Sequence, residues 1–398
     1  MRCAALSIGL LGLAVLAPDL QAAASARVHE RPTVTYGGLE LPVPAGWRVY
    51  DLAAEPTRCV RFDEHAIYVG VPRGEQDCPA RIVGRTEAVQ LTPIASDGGR
   101  RRAAARRRLS SLRIEDGPSG EARIDLPEAG VRITGVYGER RDLLESTLRA
   151  ASAGPGRTEA APPEEPGTVG RRAWATGPGF DTCAAPLLST MRAFRQAYAV
   201  ANIYIGGAAR GCSQYNLSAS WIRSVRQYGY RLIPTYVGLQ APCTGYRTRF
   251  KAKEAAEQGR AAAGDAVARA RYFGIPRKKP IYFDMENYDS DDTACRTAVM
   301  TFLHAWTRRL HELRYKSGVY SSAGSGIRDL GRATGIKKPN AVWFAHWDGK
   351  ARTTGSPYLP DTWWATHRRI KQYRGGHTEK HGGVKLNVDS NMVDGLVY

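Results

Sequence analysis

The chain of 398 residues contains no Cys-x-x-Cys pair and no His-Cys cluster, so it lacks the ligand spacing of a structural zinc site. No Gly-x-Gly-x-x-Gly follows a first apolar strand, which argues against a dinucleotide-binding fold. After residue 26 no apolar run approaches the ~20 residues that span a bilayer. The arginine run from Arg100 to Arg108 has no aromatic residue within it, so a solvated loop is expected there and no nucleic-acid partner. Acids are also scarce: 38 Asp and Glu stand against 57 Lys and Arg, a formal charge of +19. That excess favours polyanionic surroundings through long-range attraction.

What remains is the composition of a soluble globular protein, with 43% hydrophobic and 24% charged residues. The length admits two domains, or a barrel with an added module. Residues 1–26 have the layout of a secretory signal peptide: Arg2, an apolar run from Cys3 to Ala17, then small residues ending Ala24-Ser25-Ala26, with cleavage expected before Arg27. A secreted, extracellular or wall-associated protein without stable membrane insertion follows from that reading. Six cysteines lie beyond it, namely Cys59, Cys78, Cys183, Cys212, Cys243 and Cys295, and an even count in an exported chain favours disulfides. If each domain closes its own bridges, Cys59 pairs with Cys78. Three pairings then remain for the other four, of which Cys183–Cys212 with Cys243–Cys295 is preferred.

Residues 27–150 read as a small α+β domain. Val34 to Trp47 gives a hairpin-like pair of strands, His65–Val71 and Val131–Tyr137 give further strands, and Arg141–Ala150 gives a short helix. No catalytic spacing occurs there. Residues 151–175, rich in Pro, Gly, Ala and Glu, read as a linker. The charge divides unevenly across it: residues 27–150 hold 20 Arg and 18 acids, whereas residues 176–398 hold 33 Lys and Arg against 16 acids, a surplus of +17.

Residues 176–398 repeat apolar strand, turn and amphipathic helix. Strands are expected at 179–181, 201–205, 231–237, 281–286, 317–321, 341–347, 370–373 and 388–389, with helices at 187–199, 219–228, 253–273 and 293–313. Eight strands, most separated by helices, predict a (β/α)8 TIM-like barrel, although the last three connections are short. A doubly wound sheet is the alternative.

The fourth strand, Pro280-Ile-Tyr-Phe-Asp284-Met-Glu286-Asn-Tyr288, carries two carboxylates at i and i+2, so the pleat sends both to one face roughly 6.5–7 Å apart. Asp181 and Asp389 end the first and eighth strands, which are neighbours in a closed barrel. Four carboxylates at one mouth suit glycosidic cleavage, which needs a protonated acid and a stabiliser of the developing positive charge. Burial and the like charge of Asp284 are expected to keep Glu286 protonated. Tyr204, Tyr236, Tyr282, Tyr320, Trp343, Trp347 and Tyr373 lie on or near the same strands, and aromatic faces beside carboxylates suit a sugar-binding floor.

The succession GPGFDTC (177–183), IYIGG (203–207), PTYVG (234–238), PIYFDMENY (280–288), GVYSS (318–322), WFAHW (343–347), QY (372–373) and VDSN (388–391) resembles the glycoside-hydrolase-like domain family of secreted bacterial proteins, related to family 25 muramidases. The resemblance covers 176–398 and none of 27–175. It implies a TIM-like barrel whose groove cleaves or binds an amino-sugar polymer such as peptidoglycan. By motif, Glu286 matches the general acid, Asp284 its partner, Asp181 and Asp389 the acids of the first and last strands, and Gln372 and Tyr373 the Gln-Tyr pair. It also implies that the substrate N-acetyl group can act as internal nucleophile, oriented by Asp284. Lys371, where a Trp commonly precedes the Gln-Tyr pair, and the loop Gln240–Arg249 depart from the muramidase pattern. A monomer binding a cell-wall or other anionic glycan, with no cofactor and no metal, is therefore expected. A non-catalytic wall-binding protein of the same fold is the alternative.

Overall fold

A computed structural model describes residues 32–94, 107–114, 117–154 and 173–398. The expected signal peptide, most of the arginine run and residues 155–172 of the expected linker lie outside these. Among the described residues no helix is long and apolar enough to cross a membrane.

The N-terminal part holds β1 (Thr33–Tyr36), β2 (Leu39–Pro42), β3 (Arg48–Asp51), β4 (Ala66–Val69), β5 (Ala88–Pro93), β6 (Arg107–Arg108), β7 (Glu121–Leu126), β8 (Val131–Val136), α1 (Arg141–Arg149) and β9 (Ser152–Ala153). These make one sheet in the order β1-β2-β9-β6 and another in the order β3-β4-β5-β8-β7. Apolar side chains of both sheets meet Leu144 and Leu148 of α1 in one core. The expected β1–β2 hairpin forms with antiparallel register, Thr33 opposite Pro42.

The rest is β10 (Trp174–Asp181), α2 (Leu188–Phe194), β11 (Val200–Gly206), α3 (Ala219–Gln227), β12 (Arg231–Tyr236), α4 (Ala255–Tyr272), β13 (Pro280–Asp284), α5 (Thr293–Glu312), β14 (Lys316–Ser322), α6 (Arg328–Arg332), β15 (Ala341–Ala345), β16 (Arg369–His381) and β17 (Val384–Leu396). Strands β10 to β17 close into an eight-stranded barrel. The fold is therefore mixed α/β, with a closed barrel after two smaller sheets. Helices fill the connections as far as β15; residues 346–368 carry none, and β16 turns directly into β17. Strand β17 runs antiparallel to both β16 and β10. This corrects one expectation, since Asp389 does not end a parallel eighth strand. It sits within a 13-residue strand and faces Asp181 in the antiparallel register.

Side chains such as Val200, Ile233, Tyr282, Tyr320, Trp343, Ile370 and Val393 fill the barrel interior. The larger core lies between strands and helices, where Phe283, Phe302 and Trp306 pack edge to face. Both layers are what a barrel of short apolar strands requires, because each strand buries two faces.

The two parts are sewn together after β11. Gly207 makes the turn with a φ of +112°, and a Cβ there would lie 2.1 Å from the Val237 carbonyl oxygen, so only glycine fits. The following segment hydrogen-bonds on one side to residues 60–62 (Phe62 N–H to Gly211 O, 2.7 Å; Ser213 N–H to Val60 O, 2.9 Å). On the other it pairs with residues 82–84 (Gly84 N–H to Ala209 O, 2.8 Å).

Three disulfides form: Cys59–Cys78, Cys183–Cys212 and Cys243–Cys295. The first two pack against each other at this seam. The third closes 52 residues of chain. By loop entropy its removal in Cys295→Ser is expected to lower stability by about 4 kcal/mol, measured as a fall in the denaturation midpoint under non-reducing conditions.

Candidate active site

Strand ends and a buried amide build the barrel mouth. Strand β13 ends at Asp284, and its register sets Asp284 beside Tyr320 of β14. Chain pairing continues one residue further, since the Met285 N–H donates to the Tyr320 carbonyl at 3.0 Å. The side chain of Gln240 then holds the carboxylate segment. Its Nε2 donates to the Asp284 carbonyl at 2.8 Å, and its Oε1 accepts from the Glu286 N–H at 2.8 Å. These bonds fix Glu286 over the mouth although the strand has ended.

All four expected carboxylates are buried and converge there: Asp181 at 1% exposure, Asp284 at 2%, Glu286 at 6% and Asp389 at 2%. Gln372 is the hub. Its Nε2 donates to Asp181 Oδ2 and Asp389 Oδ2, both at 3.0 Å, so these two oxygens are no farther apart than two hydrogen-bond lengths. Its Oε1 accepts from Tyr320 Oη at 3.0 Å and Trp347 Nε1 at 2.9 Å. Asn391 Nδ2 donates to Asp181 Oδ1 at 2.5 Å, while its Oδ1 accepts from Trp343 Nε1 at 2.7 Å.

The aromatic residues divide. Tyr320 and Trp347 border the carboxylates, and Trp347 is 55% exposed. Tyr204 lies beside them, lining a small cavity with Arg81 and Asp284. Trp343 sits beneath, edge to face with Tyr320 and Tyr282. Two were misplaced by the strand-end argument. Tyr282 is barrel core, its hydroxyl donating to the Leu396 carbonyl. Tyr236 points outward to Asp265 of α4 at 2.8 Å. Tyr373 is half-buried at a register irregularity between Gln372 and Arg374.

No local pattern marks Arg81, the cation at the centre of the mouth's electrostatics. Arg81, from the segment 79–86 held at the seam, reaches into the mouth. Its Nη1 lies 3.3 Å from Glu286 Oε1 and makes a short hydrogen bond to Tyr320 Oη. Its guanidinium stands 5.5 Å from the Trp347 ring centroid and 6.0 Å from that of Tyr320. Burial works against this charge, but Tyr320 and the Glu286, Asp389 and Asp284 carboxyls outweigh it.

Proton affinities follow from the same contacts. Burial raises Glu286, and Arg81 pulls it back. Burial and then Glu286 push Asp284 well above the ordinary carboxylate range. The like charge of Glu286 raises Asp284, while Arg81, in contact with Glu286, opposes the rise there. Asp181 is pushed up by burial and by Asp389. Asp284 Oδ1 and Glu286 Oε1 accept no hydrogen bond. Such a site offers two buried carboxyls raised toward protonation, one of them beside a cation, and an aspartate pair bridged by an amide donor.

Lys371, expected to mark a departure, is buried at 2% exposure and donates to Asp348 Oδ1 at 2.6 Å and the Lys350 carbonyl at 3.1 Å. It anchors the loop that carries Trp347. Lys371→Met should cost about 2 kcal/mol, below the roughly 3–5 of a fully buried pair because Asp348 can still be solvated. Urea unfolding measures this.

Comparison with known proteins adds the following. No curated protein matches the chain. An uncharacterized B. stearothermophilus protein of known structure is 19% identical with a TM-score of 0.39, over 56% of this chain and 99% of that one. The Mycobacterium tuberculosis Tat-secreted protein Rv2525c, in complex with L-tartrate, is 17% identical with a TM-score of 0.38, over 56% and 96%. The modular autolysin LytC from Streptococcus pneumoniae, in complex with a synthetic peptidoglycan ligand, is 11% identical with a TM-score of 0.34, over 50% and 42%. Residues 192–393, just over half of the chain, match the Rv2525c-like, glycoside hydrolase-like domain, and the chain belongs to that family.

Proposed function

We propose that this is a secreted, monomeric glycoside hydrolase acting on a cell-wall amino-sugar polymer of the peptidoglycan kind. The observation that carries the reading is the convergence of Asp181, Asp284, Glu286 and Asp389 on one barrel mouth, with Gln372 tying the acids of the first and last strands. Glu286 is the general acid for the leaving oxygen once Arg81 withdraws; Asp284 positions the N-acetyl group that attacks the anomeric carbon. Tyr320 and Trp347 supply the sugar-facing surfaces. In this reading residues 27–150 form a separate module whose loop covers the mouth.

One observation favours a second reading. The Arg81 guanidinium stands 3.3 Å from Glu286 Oε1, where a leaving oxygen would have to sit, as it could in a non-catalytic wall-binding protein. The experiment incubates the full chain with purified peptidoglycan and counts new reducing ends. Hydrolysis supports the enzyme. Co-sedimentation with walls that weakens as salt rises, without new ends, supports the binding protein.

A further inference from the structure

One large cavity lies away from the barrel mouth. A cleft of ≈ 970 Å³ opens between the outer face of the β5-β8-β7 sheet and the α3 and α4 side of the barrel. That volume lies in the range of ligand-binding clefts. Its walls carry four arginines and a single carboxylate, Glu121.

The charge is unbalanced deep in the cleft. Arg210 Nη2 donates to Glu121 Oε2 at 3.1 Å, Arg123 Nη2 lies 3.7 Å from Glu121 Oε1, and the wholly buried Arg85 lies 3.9 Å from Glu121 Oε2. Three guanidinium groups therefore share one carboxylate, while Arg269 from α4 has only a 3.8 Å contact to Asp265. Burial depresses Arg210 below the ordinary arginine range; Glu121 opposes this, and the neighbouring Arg269 and Arg123 charges add to it.

Two buried donors there are unpartnered. Arg210 is 8% exposed and its Nε donates to nothing; Gln90 is 3% exposed and its Nε2 donates to nothing, its Oε1 accepting from Ser213 Oγ at 2.7 Å. Orphaned buried donors are costly unless a ligand satisfies them. At the rim, Tyr272 is 63% exposed and its hydroxyl accepts from Arg123 Nη1 at 3.4 Å.

We infer that this cleft is a second carbohydrate site, which binds an acidic saccharide with its anionic group between Arg210 and Arg269, its ring on Tyr272 and a hydroxyl on Gln90 Nε2. Binding here is independent of hydrolysis at the barrel mouth, so the site would hold the protein on an anionic glycan whichever reading of the mouth is right.

Titration calorimetry on the full chain at low salt tests this with three probes: trigalacturonate for a carboxylate, glucose 6-phosphate for a phosphate, and maltotriose as the neutral control. At least one acidic probe should bind about tenfold or more tightly than maltotriose, with affinity falling as salt rises. Comparing the two acidic probes identifies the anionic group. Arg123→Ala, on an exposed side chain, and Arg269→Ala should each weaken that binding about tenfold, with Arg269→Lys restoring part of it. Equal affinity for maltotriose, absence of binding by either acid, or binding lost in Glu286→Gln but kept in Arg269→Ala would each overturn the inference. The last result would place the saccharide at the barrel mouth.

Discussion

Replacing Glu286 by Gln should lower the turnover of peptidoglycan by about 10²–10⁴-fold, the contribution of a positioned general acid. The substitution keeps size and leaves the segment anchored, because Gln240 holds Glu286 by its backbone N–H and not by its carboxyl. What goes is the ionisable group 3.3 Å from Arg81. Little change in Tm is therefore expected, and affinity for the wall should persist while new reducing ends fall to background. If the variant releases ends as fast as the wild type, Glu286 is not the acid, and Asp284, which burial and Glu286 raise, becomes the first alternative. The choice between these carboxyls is a question of environment: both are raised by burial and lowered by Arg81, and the Arg81 guanidinium lies 3.3 Å from Glu286.

Replacing Arg81 should act in the opposite direction. The guanidinium occupies the space a sugar would need, between Glu286, Tyr320 and Trp347, and it favours the ionised form of the group meant to deliver a proton. A site available in only a small fraction of molecules has its apparent affinity reduced by that fraction. Arg81→Ala is thus expected to raise kcat/KM by about tenfold or more. The pH profile gives a second readout. Arg81 lowers the Glu286 pKa, so its loss lets that pKa rise, the proton is retained to higher pH, and the alkaline limb of activity moves upward. Arg81→Lys, which keeps the charge but not the fork, should fall between. A drop in activity with an unshifted alkaline limb would make Arg81 part of the substrate-binding machinery and not a cover. The seam supports a built-in cover, because Arg81 leads directly into residues 82–84, which pair with the segment after β11 beside two disulfides.

The two effects are separable from the acidic-saccharide cleft. None of Arg123, Arg269 and Tyr272 borders the carboxylates, and wall binding there should survive Glu286→Gln.

Some of this was legible in local pattern. Period-two strands, 3.6-residue helices and their alternation set out the barrel elements. The Asp284-x-Glu286 spacing put two carboxylates on one face, and an even cysteine count set out the disulfides. Asp181 and Asp389 could be read as strand-end residues and Gln372 through the family resemblance, although for Asp389 the reason was mistaken: β17 returns antiparallel, and a hairpin carries the residue to the mouth. The aromatic residues show the limit of such reading. Strand position alone does not tell whether a side chain points into the barrel, as Tyr282 does, out to a helix, as Tyr236 does, or to the mouth, as Tyr320 does. That depends on how strand tilt and register combine on closure.

By itself, then, the sequence determined the element order, the carboxylate set and the family of the barrel, because these rest on short-range spacing and motif. Only the tertiary structure decided which carboxyl has a cation beside it and what stands in front of it. Arg81 is 239 residues from Tyr320 in the chain, and no local pattern marks it among the 20 arginines of residues 27–150. Its effect on Glu286 exists only where burial removes water and long-range pairing brings the two charges into contact. The cleft around Arg210 and Gln90 arises in the same way, from a sheet and a barrel that meet far apart in sequence.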